Sequence, residues 1–147
     1  MRLLHTSDWH LGQLFYEHER FDEHAAFFSW LLTQLVEQAI DVLLISGDIY
    51  HNANPPTRAE SQFYQFVKSA KAACPDLHIV VIAGNHESAK RITTAQPLLA
   101  QFDTHVVGHF DAKHPERCLL ELEIGNEHLA VAALPYLRAC DLTDLKV

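Results

Sequence analysis

Three short apolar runs punctuate the chain, and between them apolar residues recur every three or four positions. The runs cover residues 2–6, 42–45 (VLLI) and 78–83 (HIVVIA). Unbroken apolar runs of this length, ended by glycine or a polar cluster, predict strands covered on both faces. Phe21, Ala25, Phe28, Leu31, Leu32 and Leu35 sit at helical spacing, so residues 21–38 read as an amphipathic helix. Residues 7–20 before it read as a polar loop, and residues 52–56 as a turn cluster. Thr57 followed by Glu60 has the form of a capping box, which predicts a second helix that runs to about residue 73 and stops before Pro75. A shorter helix is expected near residues 89–101, broken or restarted at Pro97. Strands are expected at 104–107, 118–124 and 128–133, the last two joined in a hairpin by Gly125-Asn126.

Strand and helix alternate through the first two thirds of the chain. That order predicts an α/β fold: a parallel sheet in layers with helices, joined by right-handed crossovers. No repeat or linker interrupts residues 1–147, so a single domain is expected.

Composition narrows the function classes. With 48% hydrophobic residues among 147, the chain can bury a core without a disulfide or structural metal. A formal net charge of -8 argues against a broad basic face tracking nucleic acid, but not against a local site that meets phosphate through metal ions. Cys74, Cys118 and Cys140 are odd in number and form no C-x-x-C pair, so they read as reduced thiols. No apolar run approaches the roughly 18 residues of a membrane helix. Asp8 and His10 come before any signal-peptide core could form, so a cytoplasmic protein with no membrane association is expected.

Each strand runs into a polar cluster: Ser7-Asp8-Trp9-His10, Gly47-Asp48, and Gly84-Asn85-His86-Glu87. In an open parallel sheet, ligands gather at the carboxyl ends of the strands. Asp8, His10, Asp48, Asn85 and His86 are therefore expected in one crevice. Carboxylate, imidazole and amide oxygen without thiolate suit Mn²⁺, Fe²⁺ or Zn²⁺ in a working site. Asp8 and His10 are two apart, so an extended backbone would point both the same way. A carboxylate such as Asp48 can bridge two ions.

These motifs, D-x-H, G-D and G-N-H-[DE], resemble the signature of the calcineurin-like metallophosphoesterases. The opening HTSDWHLG, with Pro55-Pro56 and AGNHES at 83–88, is similar to the SbcD-type DNA exonuclease subunits among them. The resemblance covers most of the chain, is specific to about residue 90, and returns at LPYLR, residues 134–138. It implies layers of sheet and helix, incomplete in this chain, and two divalent ions, most often Mn²⁺. Asp8 and His10 would bind the first ion, Asp48 would bridge, and Asn85 would bind the second. His86 would face the scissile phosphate of DNA. The implied partners are an SbcC-type ATPase subunit and a second copy of the chain, docked through residues 57–73 and the segment after Ser88.

Three departures bear on that reading. Many bacterial members carry Asp where this chain has His51, which the resemblance places beside the substrate phosphate as a positioning residue. Glu87 replaces the commoner Asp behind the ligands. A later histidine and a G-H-x-H motif are missing, and Gly108-His109-Phe110-Asp111 only begins like one. The expectation is an amino-terminal part of a longer nuclease domain that alone binds one ion weakly and cleaves poorly. Rival readings are a phosphomonoesterase or cyclic-nucleotide phosphodiesterase of the same superfamily, and a non-catalytic dimerisation module built on Phe63, Tyr64, Phe66 and Val67. Lys68, Lys71, Lys90 and Arg91 form a basic cluster along the sequence that could meet phosphates. Of the eleven histidines, only His10, His86 and His51 enter the site, with His5 beside it.

Overall fold

The computed structural model describes residues 1–142; the side chain of Cys140 is outside the description. Four parallel strands form the central sheet in the order β1, β4, β5, β6: β1 is Leu3–Thr6, β4 Val42–Ser46, β5 His78–Ile82 and β6 Thr104–Val107. Each new strand adds to the same edge, in register Leu3 to Val42, Val42 to His78 and Ile79 to Thr104. Right-handed crossovers that always step the same way put all the intervening helices on one face.

That face carries α1 (Phe21–Glu37) and α2 (Thr57–Ala73), then the short helices α3 (Ala89–Ile92) and α4 (Gln96–Leu99). The buried stripe of α1 is Phe21, His24, Phe28, Leu31 and Leu35, and that of α2 is Ala59, Phe63, Phe66, Val67 and Ala70. Both follow the 3.6-residue period. They close on Leu43, Ile45, Ile79, Val81 and Val106 of the sheet.

The opposite face is covered by strands, not helices. The hairpin β7 (Leu119–Ile124) and β8 (Glu127–Ala132) turns at Gly125, where φ is +59°, and packs Leu122 against Val42 and Val80. Alternate strand residues therefore meet helix and hairpin in turn, which is why the strands read as unbroken apolar runs. Leu3 of the sheet, Leu119 of the hairpin and Leu134 just after it remain exposed.

Several local expectations change. Residues 7–20 hold a small ribbon, β2 (Leu14–Phe15) paired with β3 (His18–Glu19), too short to leave a periodic signal. Thr57 makes no cap hydrogen bond; Pro56 is the capping residue, its carbonyl accepting from the Ala59 and Glu60 N–H groups. The Glu60 carboxylate instead takes Arg91 at 2.9 Å. The predicted helix over 89–101 splits into α3 and α4, with Pro97 in the first turn of α4. A last short helix, α5, spans Ala139–Leu142. Cys74 and Cys118 are free thiols, and burial raises both above the usual thiol range. Among the described residues, no helix is long and apolar enough to cross a membrane.

Candidate metal centre

The loop after β1 and the loop after β4 zip together along their backbones. The Asp8 N–H donates to the Gly47 carbonyl at 3.1 Å, His10 to Asp48 at 2.8 Å, Leu11 to Ile49 at 2.7 Å, and His51 returns to Leu11 at 3.0 Å. This continues the β1–β4 pairing past the sheet and brings both polar clusters to one crevice.

The expected convergence of Asp8 and His10 holds, but its geometric reason does not. Neither residue is extended: φ is 57° at Asp8, 47° at His10 and 49° at Asp48. Left-handed backbone at non-glycine residues costs roughly 1–2 kcal/mol each. Asp is among the residues that adopt it most readily. The two turns leave Asp8 Oδ1 3.9 Å from His10 Nε2 while Trp9 between them points into the core. The Trp9 indole N–H donates to Thr6 Oγ1 at 2.9 Å, and the ring meets Phe28 and Phe66 edge-on at 5.0 and 5.4 Å.

The third loop is locked to the second by Glu87. Its carboxylate accepts the backbone N–H groups of Asp48 at 3.1 Å, Tyr50 at 2.8 Å and Gly84 at 2.7 Å. The His86 N–H donates to Asp48 Oδ1 at 3.1 Å. Both glycines are required by contact. A Cβ on Gly47 would stand 2.8 Å from Gly84 Cα, and one on Gly84 would collide with Asp48 Oδ1.

Five side chains thus gather in two overlapping groups. One ligand atom each of Asp8, His10 and Asp48 lies within 4.8 Å of the others, and so does one each of His10, His51 and His86. His51 is half-buried, not a solvated loop residue, with its ring 5.5 Å from that of His10 and 5.7 Å from that of His86. Burial, then positive charge on His10 and His86, pushes the His51 ring below the usual histidine value. The His51 carbonyl accepts from His86 Nδ1 at 2.6 Å; a carbonyl only accepts, so that nitrogen carries the proton.

Asn85 is exposed and lines an adjoining polar cleft with Lys90, His109 and Tyr136. His5 bonds Ser46 Oγ at 2.8 Å below the site. His24, outside the site as expected, is buried on the α1 stripe. Burial, then the Arg20 charge, lowers its pKa. The signal was its place on the buried stripe of α1, one turn after Phe21. The basic cluster along the sequence disperses in space: Lys71 is bound to the Pro75 and Leu77 carbonyls and to Asp103, and Arg91 to Glu60 and Asn54.

The family model for calcineurin-like phosphoesterases matches residues 1–131. The chain belongs to the calcineurin-like phosphoesterases. This phosphoesterase is 35% identical to the SbcD component of the nuclease SbcCD from Escherichia coli strain K12, over 97% of its length and 34% of the relative's. It is 38% identical to the SbcD component from Bacillus subtilis strain 168, over 92% of its length and 34% of that relative's. To the DNA double-strand break repair protein Mre11 of Sulfurisphaera tokodaii it is 33% identical over 69% of its length and 27% of that relative's. The chain spans about a third of the length of the SbcD relatives it matches. Its family works with a dinuclear divalent metal centre, and the donors present, carboxylate and imidazole without thiolate, fit such ions.

Proposed function

We propose that the chain carries part of the catalytic site of a metal-dependent nuclease that hydrolyses DNA phosphodiesters in repair and recombination. The observation that carries this is the convergence of Asp8, His10 and Asp48 within 4.8 Å, beside His51 and His86. Asp8 and His10 hold the first ion with Asp48, and Asp48 with Asn85 offers two ligands to the second. Mn²⁺ suits the carboxylate-rich set. When bound, the ions supply Lewis-acid stabilisation and lower the pKa of a bound water. The chain's own residues do the rest: His86, its Nδ1 proton engaged by the His51 carbonyl, meets the phosphate with its other ring nitrogen, and His51 positions it.

Supplied with these ligands alone, residues 1–147 are an amino-terminal part of the nuclease domain that binds one ion and cleaves slowly. The names of the similar nucleases suggest an SbcC-type ATPase partner, and the same reading places the protein in the cytoplasm. A homodimer is proposed along an apolar groove between α2 and the segment after Ser88, where Val67 and Leu99 form the floor and Leu98 and Phe102 stand exposed. Phe63 and Phe66 face the chain's own core, so Tyr64 and Val67 of the stripe remain for the partner.

The test is incubation with linear duplex DNA and Mn²⁺ beside a His86→Asn variant. Slow cleavage lost in the variant is expected. Hydrolysis of a simple phosphomonoester with intact DNA would favour the phosphomonoesterase reading, and inertness towards both would favour the non-catalytic module. Sedimentation should show a dimer that Leu98→Glu disperses; a monomer at high concentration would remove the dimer.

A further inference from the structure

We propose that His10, His51 and His86 form an all-imidazole site for a divalent transition ion of the zinc class, sharing His10 with the carboxylate set and excluding it when filled. One nitrogen from each ring lies within 4.8 Å of the other two. Nitrogens bound to a tetrahedral zinc at about 2.0–2.1 Å stand about 3.3 Å apart, so closing the site takes side-chain rotations on the order of an ångström.

The backbones carrying the rings are already fixed. His10 is bonded to the Asp48 carbonyl at 2.8 Å and His51 to the Leu11 carbonyl at 3.0 Å. His86 is oriented as a ligand histidine is: one ring nitrogen donates to a backbone carbonyl, at 2.6 Å, leaving Nε2 with its lone pair. The Nδ1 atoms of His10 and His51 are buried and have no partner among the described residues. The rings crowd at 4.9, 5.5 and 5.7 Å between centroids, so one ion can reach all three.

The chemistry separates the two groups. Three neutral imidazoles suit Zn²⁺, Ni²⁺ or Cu²⁺ and hold Mn²⁺ or Mg²⁺ poorly, whereas two carboxylates and one imidazole also accept those harder ions. His51 decides the matter, because without its ring only His10 and His86 remain. Binding does not depend on the nuclease reading. One consequence does rest on it: a zinc-class ion here would occupy the two histidines assigned to the phosphate, and so inhibit cleavage.

The experiment is Zn²⁺ binding by competition with a chromophoric chelator, with Mn²⁺ titrated separately, on the chain and on Asp8→Asn and His51→Gln. Asn tolerates left-handed backbone, so the first variant keeps its turn. Asp8→Asn should weaken Mn²⁺ at least about tenfold and leave Zn²⁺ within about twofold; His51→Gln should do the reverse. Parallel loss of both ions in either variant, or Zn²⁺ affinity unchanged in His51→Gln, would overturn the proposal. Ring-nitrogen NMR of the unaltered chain guards against misfolding: Zn²⁺ should shift the His10, His51 and His86 signals together, and a shift that spares His51 would count against the site. Activity enters none of these readouts, so failure of the nuclease reading remains distinguishable.

Discussion

Asp8 and His10 stand at φ 57° and 47° with their side chains in the crevice, while Trp9 between them lies 6% exposed among Phe27, Phe28, Phe63 and Phe66. The metal-site loops are assembled against local preference. Their backbone is strained, their glycines touch, and a carboxylate from one loop satisfies N–H groups of its own loop and of a second. The aromatic core beneath them follows local preference, from the helical period to the stacked pair Phe28 and Phe66 at 4.7 Å. Strain of this kind persists only where the surroundings over-determine it. The aromatic layer supplies that surplus, and Trp9 is the residue through which it reaches the metal loops.

Four changes would break or sharpen this contrast. The largest effect is expected from Gly84→Ala, whose Cβ would collide with the Asp48 carboxylate. Divalent-ion binding should fall at least about a hundredfold by calorimetry, the upper end of what disturbing a ligand's support costs, with the helical circular-dichroism signal retained. Phe66→Ala should do the opposite: a loss of about 3–5 kcal/mol in urea unfolding, with ion affinity nearly unchanged while the chain stays folded. Equal damage to both properties in either variant would mean that the layers are not separable.

Glu87→Gln should be intermediate. Its amide presents N–H where the carboxylate accepted three backbone donors, which should cost about 1–3 kcal/mol and also loosen the site. Unchanged unfolding would show that Glu87 does not hold the loops together.

The smallest effect concerns pH. His24, His51 and His105 all have ring pKa values lowered, chiefly by burial, so each is held neutral in the fold. Their stabilising contribution is complete above the usual value of 6.5 and is lost as pH falls from there through the lower folded values. The melting temperature of the metal-free chain should therefore fall as pH drops below about 6.5. His24→Gln should flatten part of that slope, and an unchanged slope would contradict the assignment of His24.

The same contrast explains what could be read from the sequence. The strands and long helices were legible to within a residue or so, because burial on a regular period writes itself into the apolar pattern. Asp8, His10, Asp48 and His86 were legible as a gathering because the parallel topology sends every loop after a strand to the same end; His51 was legible only through the family resemblance, and Asn85, expected with them, stands exposed in the adjoining cleft. The left-handed turns at Asp8, His10 and Asp48 were not, since nothing local distinguishes them from extended backbone. Thr57 and Glu60 misled because Arg91, 31 residues on from Glu60, claims the carboxylate that would have closed the box. The coverage of the second sheet face by a hairpin was hidden as well, because Leu122 and Val42 meet only in three dimensions.

The central claim is that Asp8, His10 and Asp48 form one ion site on a framework that the core holds in place. Calorimetric titration of the 147-residue chain with Mn²⁺, in parallel with Asp8→Asn, tests it most directly. The account predicts one ion per chain, bound weakly, with affinity lost in the variant and thermal stability kept. Two tight sites per chain, or binding indifferent to Asp8, would contradict it.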